Sequence, residues 1–269
     1  RLNACTYHYG NVADQAHFGA ALDAPPAPDP LAGIPKPRLM FVGAIDAYKL
    51  DLPMLTALAR QRSDWSWVLV GPVGEADPDT SIAALQALPN LHVMGLQPYA
   101  DLPAWLAHAD VALLPLQENT YTQHMFPMKF FEYLAAGCPV VATQIPALRP
   151  YASGALLCPP DADAFEVAIA RALSGDGPSL EQRLALAAEH TYESRTRKML
   201  QDLQRDGLLD AASSGQSMLR AQGRTWPLQR VLMPALFRSV RLRNRCGRSE
   251  AGRQLLRWID GHHPVEPQV

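Results

Sequence analysis

A chain of 269 residues that is 48% hydrophobic and 19% charged can bury a full core, and its length suggests one or two domains. The composition is that of a soluble globular protein: no apolar run approaches the ~18 residues of a membrane span, and the opening RLNACTYHYG has no signal-peptide apolar region. The net charge of −2 hides an asymmetry, because residues 220–269 hold 10 arginines against 3 acidic residues while residues 1–219 are net acidic.

The chain does not open on methionine, which leads us to expect that it starts in mid-protein or after processing. A proline-rich stretch, APPAPDPLAGIPKP, leads from Ala24 to Pro37, and an alternating pattern follows. Short apolar runs ending at Gly43 (RLMFVG), Gly71 (SWVLVG), Gly95 (LHVMG), Pro115 (DVALLP) and Thr143 (PVVAT) read as buried strands, with a sixth, GALLC, at 154–158. Segments of helical period separate them, opening at Asp51, Asp79, Asp101 and Pro127. Further helical stretches are expected near 163–173, 180–190 and 192–206. Strand and helix in alternation predict an α/β fold, a Rossmann-like parallel sheet flanked by helices. Beyond Gly207 the pattern breaks at AASSGQS, and a basic extension follows. Of the four cysteines, Cys5, Cys138, Cys158 and Cys246, none forms a C-x-x-C pair, so reduced thiols fit better than a disulfide framework.

Ligands of an open parallel sheet bind where the loops diverge at the carboxyl ends of the strands. That rule directs attention to the loops after Gly43, Gly71, Gly95, Pro115 and Thr143. Neither G-x-G-x-x-G nor a Walker phosphate loop occurs; GPVGEADPD has two glycines, but Pro72 removes an amide donor. The scattered histidines form no metal-ligand spacing, and no G-x-S-x-G elbow supports a serine hydrolase. Lysine is scarce, with only Lys36, Lys49, Lys129 and Lys198, so Lys129 beside the apolar helix face of FPMKFFEYLAAG invites a chemical explanation. Proline suits a first helical position, and the free amides after Pro127, with the positive end of the helix dipole, would form an anion site. Lys129 would add a charge for a diphosphate, and Glu132 a carboxylate for two vicinal hydroxyls. Spacing alone leaves this pair balanced against a surface ion pair worth ~0.2–0.5 kcal/mol. Phe130, Phe131 and Leu134 fit a packing face, whereas Tyr121 and Phe126, in the loop before the helix, are candidates to line a sugar or base pocket.

From about Gly10 to Asp206 the sequence resembles the C-terminal, donor-binding half of a GT-B-fold glycosyltransferase of the broad family-1 and family-4 group. The matching segments are FVGAIDAYKLDLPML, DWSWVLVGPV, LPNLHVMGLQPYADLPAWLAHADVALLPL and PMKFFEYLAAGCPVVAT. YGNVADQAHF is similar to the joint at which such enzymes pass between their two domains. The resemblance implies three segments: 1–36, a joint and the remnant of an absent N-terminal domain; 37–206, a nucleotide-sugar-binding domain; and 207–269, the basic extension. It implies that Glu132 matches the ribose-binding glutamate, that His124 stands where the family has its sugar-contacting glutamate, and that Lys49 falls at a diphosphate-binding lysine whose companion arginine is Ala44 here. Gly95 and Leu96 match the nucleobase region. With Gly43, Gly71, Tyr121, Thr122, Phe126, Pro127 and Met128 these residues complete the candidate substrate-binding set; no catalytic residue is assigned.

The implied reaction moves a sugar from a UDP- or GDP-sugar to a hydroxyl of a glycan or lipid-linked acceptor, in bacterial cell-surface polysaccharide or glycan synthesis, without metal or other cofactor. Two further readings stand beside it: a non-catalytic donor-binding subunit that needs a partner chain, and a nucleotide-sugar epimerase of the same fold. The expected place is the cytoplasm. The arginine-rich, Trp-containing segment 220–258 reads either as a domain-clasping extension or as a peripheral contact with the inner face of the cell membrane; nothing else argues for nucleic-acid binding.

Overall fold

The computed structural model describes residues 6–206. The expected basic extension at 207–269, with its membrane reading, and Cys5 and Cys246 lie outside the described residues. Contacts divide the chain into two compact units, one running from Gly10 to Thr191 and the other, among the described residues, made of 6–9 and 192–206.

The larger unit is built on a six-stranded, wholly parallel sheet in the order β3-β2-β1-β4-β5-β6. Its strands are β1 (Arg38–Val42), β2 (Ser66–Val70), β3 (Leu91–Gly95), β4 (Val111–Leu114), β5 (Val140–Thr143) and β6 (Leu156–Cys158). Every residue of β1, β2, β4 and β5 is buried, which is why these strands read as unbroken apolar runs: helices cover both faces of an inner parallel strand. The edge strands β3 and β6 are only partly covered. All six strands lie where the apolar runs predict them, and the α/β class is as expected.

The helices of this unit are α1 (Gln15–Gly19), α2 (Leu52–Gln61), α3 (Ala83–Gln86), α4 (Leu102–Ala107), α5 (Lys129–Ala135), α6 (Ala162–Leu173) and α7 (Leu180–Glu189). Side chains fix several starts: Asp51 accepts from the Met54 amide, Asp161 from Ala164, and Ser179 and Gln182 form a reciprocal capping box. Asp101 caps nothing with its side chain, and the helix expected from Asp79 is cut to four residues. There the Thr80 hydroxyl is drawn into loop contacts, accepting from the Ala47 amide and donating to Asp77. In the smaller unit, α8 (Tyr192–Arg205) is tied to the start of the chain by the Tyr9 hydroxyl, which donates to Asp202 at 2.8 Å. No helix of the described residues is long and apolar enough to cross a membrane.

The order 3-2-1-4-5-6 reverses direction between β1 and β4. Chains leaving these two neighbours turn to opposite sides, so a crevice opens between the loops that follow them, and this is where ligands of such sheets bind.

Candidate functional site

Gly43 ends β1 at the crevice and Lys129 opens α5 on its other side. At φ +147° Gly43 adopts a conformation that suits glycine, and a Cβ added there would lie 1.9 Å from Lys129 Cε and 2.8 Å from Nζ. The lysine side chain therefore lies across the bare Cα of Gly43. Gly71, at φ +146°, has the corresponding relation one strand over, since its Cβ would meet the Gly43 carbonyl oxygen at 2.0 Å. The Gly43 amide donates to the Val70 carbonyl and the Gly71 amide to that of Gly95, so the strand ends are laddered together. Gly95 is left-handed at φ +65°, with open space where a Cβ would stand, and Leu96 beside it is exposed.

Helix α5 is held on β1 by Tyr133, which is fully buried: its hydroxyl accepts from the Val42 amide at 2.8 Å and donates to the Val42 carbonyl at 3.2 Å. Phe130, Phe131 and Leu134 are fully buried too, the packing face their spacing predicts. The remaining direction of the short helix presents Lys129 and Glu132. Glu132 is half-buried, and among the described residues no group donates a hydrogen bond to its carboxylate. Burial pushes its pKa up, opposed by the charges of Lys129 and His17. A partly desolvated carboxylate without donors is unfavourable in isolation and suited to a ligand that supplies them.

The helix start differs from expectation. α5 begins at Lys129 with Met128 as its cap residue, not at Pro127, because the Phe130 and Phe131 amides already turn back to the carbonyls of Pro127 and Met128. Among the described residues the Met128 and Lys129 amides have no backbone acceptor. Pro127 itself is buried and Met128 is exposed.

The loop between β4 and α5 is internally tied. Asn119 Oδ1 accepts from the amides of Tyr121 and Thr122, and the fully buried Thr122 hydroxyl donates to the Gln117 carbonyl at 2.6 Å and accepts from the Asn119 amide. Thr122 thus spends its hydroxyl inside the loop. The Phe126 ring stacks on Phe131 with centroids 5.1 Å apart and meets Tyr151 edge-on, as part of the aromatic packing. Tyr121 is exposed and sits edge-on to Tyr48. His124 is exposed, with Nδ1 donating to the Thr120 carbonyl at 2.8 Å.

Lys49 does not stand free. Its ammonium lies 3.2 Å from Asp46, whose side chain is fully buried, and over the Tyr48 ring. His17 belongs to an element that packs against α5 and that sequence reading did not connect with it. It comes from α1, stacks on Tyr99 at 4.3 Å, and its Nε2 donates to the Tyr99 carbonyl. With Glu132 115 positions away in the chain, no local signal could mark it. Among the described residues, no group of three or more His, Cys, Asp or Glu could hold a metal ion.

A family profile described as Glycosyl transferases group 1 matches residues 36–175, more than half of the chain. The chain belongs to the group 1 glycosyl transferases. Over 109 residues it is 38% identical to a protein of Bacillus subtilis (strain 168), TuaH, whose name assigns it provisionally to teichuronic acid biosynthesis as a glycosyltransferase; the match covers 40% of this chain and 27% of that protein. Solved structures share the fold at lower identity. Sucrose-phosphate synthase of Thermosynechococcus elongatus matches with a TM-score of 0.54 and 24% identity, over 73% of this chain and 51% of that one. Anabaena HepE, solved with UDP and glucose, matches at 0.53 and 14%, over 72% and 55%. The α,α-trehalose 6-phosphate synthase of Burkholderia multivorans matches at 0.58 and 18%, over 76% and 50%. The chain thus spans about half the length of these solved chains and about a quarter of the curated relative. For this group 1 chain, the region matched by the profile includes β1–β6, Lys129 and Glu132.

Proposed function

We propose that this chain is the donor-binding half of a glycosyltransferase and holds a nucleoside-diphosphate sugar in the crevice between β1 and β4. The observation that carries the reading is the pair on α5: a lysine laid across a bare strand-end glycine, and one turn on a half-buried carboxylate with no donor among the described residues. A nucleoside diphosphate has the complementary chemistry, two phosphates for the cation and two ribose hydroxyls for the carboxylate. HepE, of similar fold, is a protein solved with UDP and glucose, which supports this class of ligand.

In the proposed reaction the bond from the anomeric carbon to the diphosphate oxygen breaks, and a bond from that carbon to an acceptor oxygen forms. The acceptor proton leaves to a base, and the leaving diphosphate gathers negative charge. Lys129 and the Met128 and Lys129 amides are placed to stabilise that charge without a metal. The proposal assigns this chain only the donor side. Its acceptor would be a bacterial cell-surface glycan or a lipid-linked one, and the protein would act in the cytoplasm or at the inner face of the membrane; the name of TuaH, which refers to teichuronic acid biosynthesis, supports a part in glycan synthesis.

Calorimetric titration of UDP- and GDP-sugars into the chain and into Glu132→Ala and Lys129→Ala tests the reading. We expect binding by the parent and a loss of about tenfold or more in each variant, the size of one charge-assisted contact. Absence of binding at millimolar ligand refutes it.

A further inference from the structure

Sequence order places two lysines within reach of a diphosphate, Lys49 in the loop after β1 and Lys129 at the start of α5. Their surroundings differ in kind. Asp46 is fully buried, and its carboxylate is held from two sides: Oδ1 accepts from the amides of Ala76 and Asp77, at 3.1 and 3.3 Å, and Oδ2 from Lys49 Nζ at 3.2 Å. The Lys49 side chain is only 24% exposed, with its ammonium 4.8 Å from the centre of the Tyr48 ring.

The backbone of the same loop is sewn to the loop after β4. The Lys49 amide donates to the Asp46 carbonyl, and the Lys49 carbonyl accepts from the Gln117 amide. The Gln117 side chain donates to the Ala47 carbonyl at 2.7 Å, and the Asn119 side chain to that of Tyr48 at 2.8 Å. Asp46 is thus the point at which the loops after β1 and β2 meet, while its neighbours bind the loop after β4. Were Lys49 to swing to a phosphate, it would strand a buried carboxylate, a strongly unfavourable exchange. Lys129 has no such obligation: among the described residues no carboxylate lies within ion-pair distance of it, and its tail occupies the space that Gly43 leaves open.

We infer that Lys49 is a positioning residue, half of a buried Asp46–Lys49 clasp that fixes the loops around the crevice, and that Lys129 alone is the lysine that meets the second phosphate of a nucleoside diphosphate. The division of labour rests on the donor-binding reading above, but the clasp does not.

The test titrates UDP, UMP, GDP and GMP into the parent chain and into Lys49→Met, Lys129→Met, Asp46→Asn and the Asp46→Asn/Lys49→Met pair, with amide hydrogen exchange and urea unfolding on each. The ratio of diphosphate to monophosphate affinity isolates the second phosphate. Lys129→Met should lower that ratio about tenfold without faster exchange in the three loops. Lys49→Met should leave the ratio within about twofold, accelerate exchange at 44–50, 74–80 and 117–122, and lower the unfolding midpoint, with partial recovery in the pair because both buried ions are then removed. A Lys49→Met protein that loses the ratio while its loops exchange at the parent rate overturns the inference. If the parent binds no nucleotide, the donor reading and the Lys129 assignment fall together, while the exchange data still decide the clasp.

Discussion

Replacing Gly43 with alanine probes the placement of Lys129 directly, because two separable effects meet at that residue. The backbone conformation at φ +147° is strained for any residue with a Cβ, at about 1–3 kcal/mol. The new methyl would also overlap the lysine tail, 1.9 Å from Cε, 2.8 Å from Nζ and 2.9 Å from Cδ. Overpacking of that kind costs about 1–3 kcal/mol, with the lower end expected here because the far end of a lysine can move. Lys129→Ala removes all three overlapping atoms, so in the double variant only the backbone strain remains. The cycle of Gly43→Ala, Lys129→Ala and their combination, read by urea unfolding, should therefore give a favourable coupling of about 1 kcal/mol, within the range for residues in contact. Gly71→Ala serves as the contrast: its methyl would strike the Gly43 carbonyl oxygen at 2.0 Å, a backbone atom that deleting a lysine does not move. Additivity of Gly43→Ala with Lys129→Ala, to within ~0.3 kcal/mol, would show that the lysine does not lie over the glycine and would refute the site as drawn.

Burial raises the Glu132 pKa in the folded chain, so the native state holds a proton at pH values where the unfolded chain has released it, and stability falls as pH rises through that window. Glu132→Gln should accordingly unfold at higher urea than the parent near pH 7, lose that advantage once the pH is below the ordinary glutamate range, and bind donor more weakly; equal pH slopes for the two proteins would refute this. Tyr133→Phe deletes the hydroxyl that both accepts from and donates to Val42, leaving a buried amide unpaired, and should destabilise by about 1–3 kcal/mol in the same assay. Burial pushes the thiols of Cys138 and Cys158 up to about 12, so peptides containing them should stay unlabelled by iodoacetamide in the native protein at pH 8 and become labelled in urea. Native labelling of either would show that its strand end opens.

The sheet was readable because each inner strand is covered on both faces and so appears as an unbroken apolar run between turn residues, as in RLMFV and SWVLV. The packing face of α5 was readable from period, with Phe130, Phe131 and Leu134 on one side. The roles of loop residues were not. Thr122 and Phe126 look the same in sequence whether they face a ligand or the loop interior, and the choice is made by Asn119, Gln117 and Phe131 acting in space. Lys49 reads as a diphosphate contact in sequence; that Ala76 and Asp77, about 30 positions on, close over its partner Asp46 is visible only in the fold. His17 lies farther still from Glu132, and only the fold brings the two elements together.

The three strand-end glycines are not equivalent, and the difference gives the site an order of construction. Gly71 leaves room for the carbonyl of Gly43, and Gly43 in turn leaves room for Lys129, so each absence of a side chain is required by the next group inward. Gly95 ends the series with open space above its Cα and a left-handed φ of +65°, which asparagine also tolerates. Sensitivity to substitution should therefore fall from Gly71, where a methyl meets backbone, through Gly43, where it meets a movable side chain, to Gly95, where only conformation is at stake. A phosphate-binding loop of the Walker type places its glycines close together in one segment and wraps them around the anion. Here the glycines sit at the ends of three neighbouring strands, and the first two in the series clear a path for a lysine from the far side of the switch point, so the cation reaches the crevice only if the register of β1 and β2 is kept.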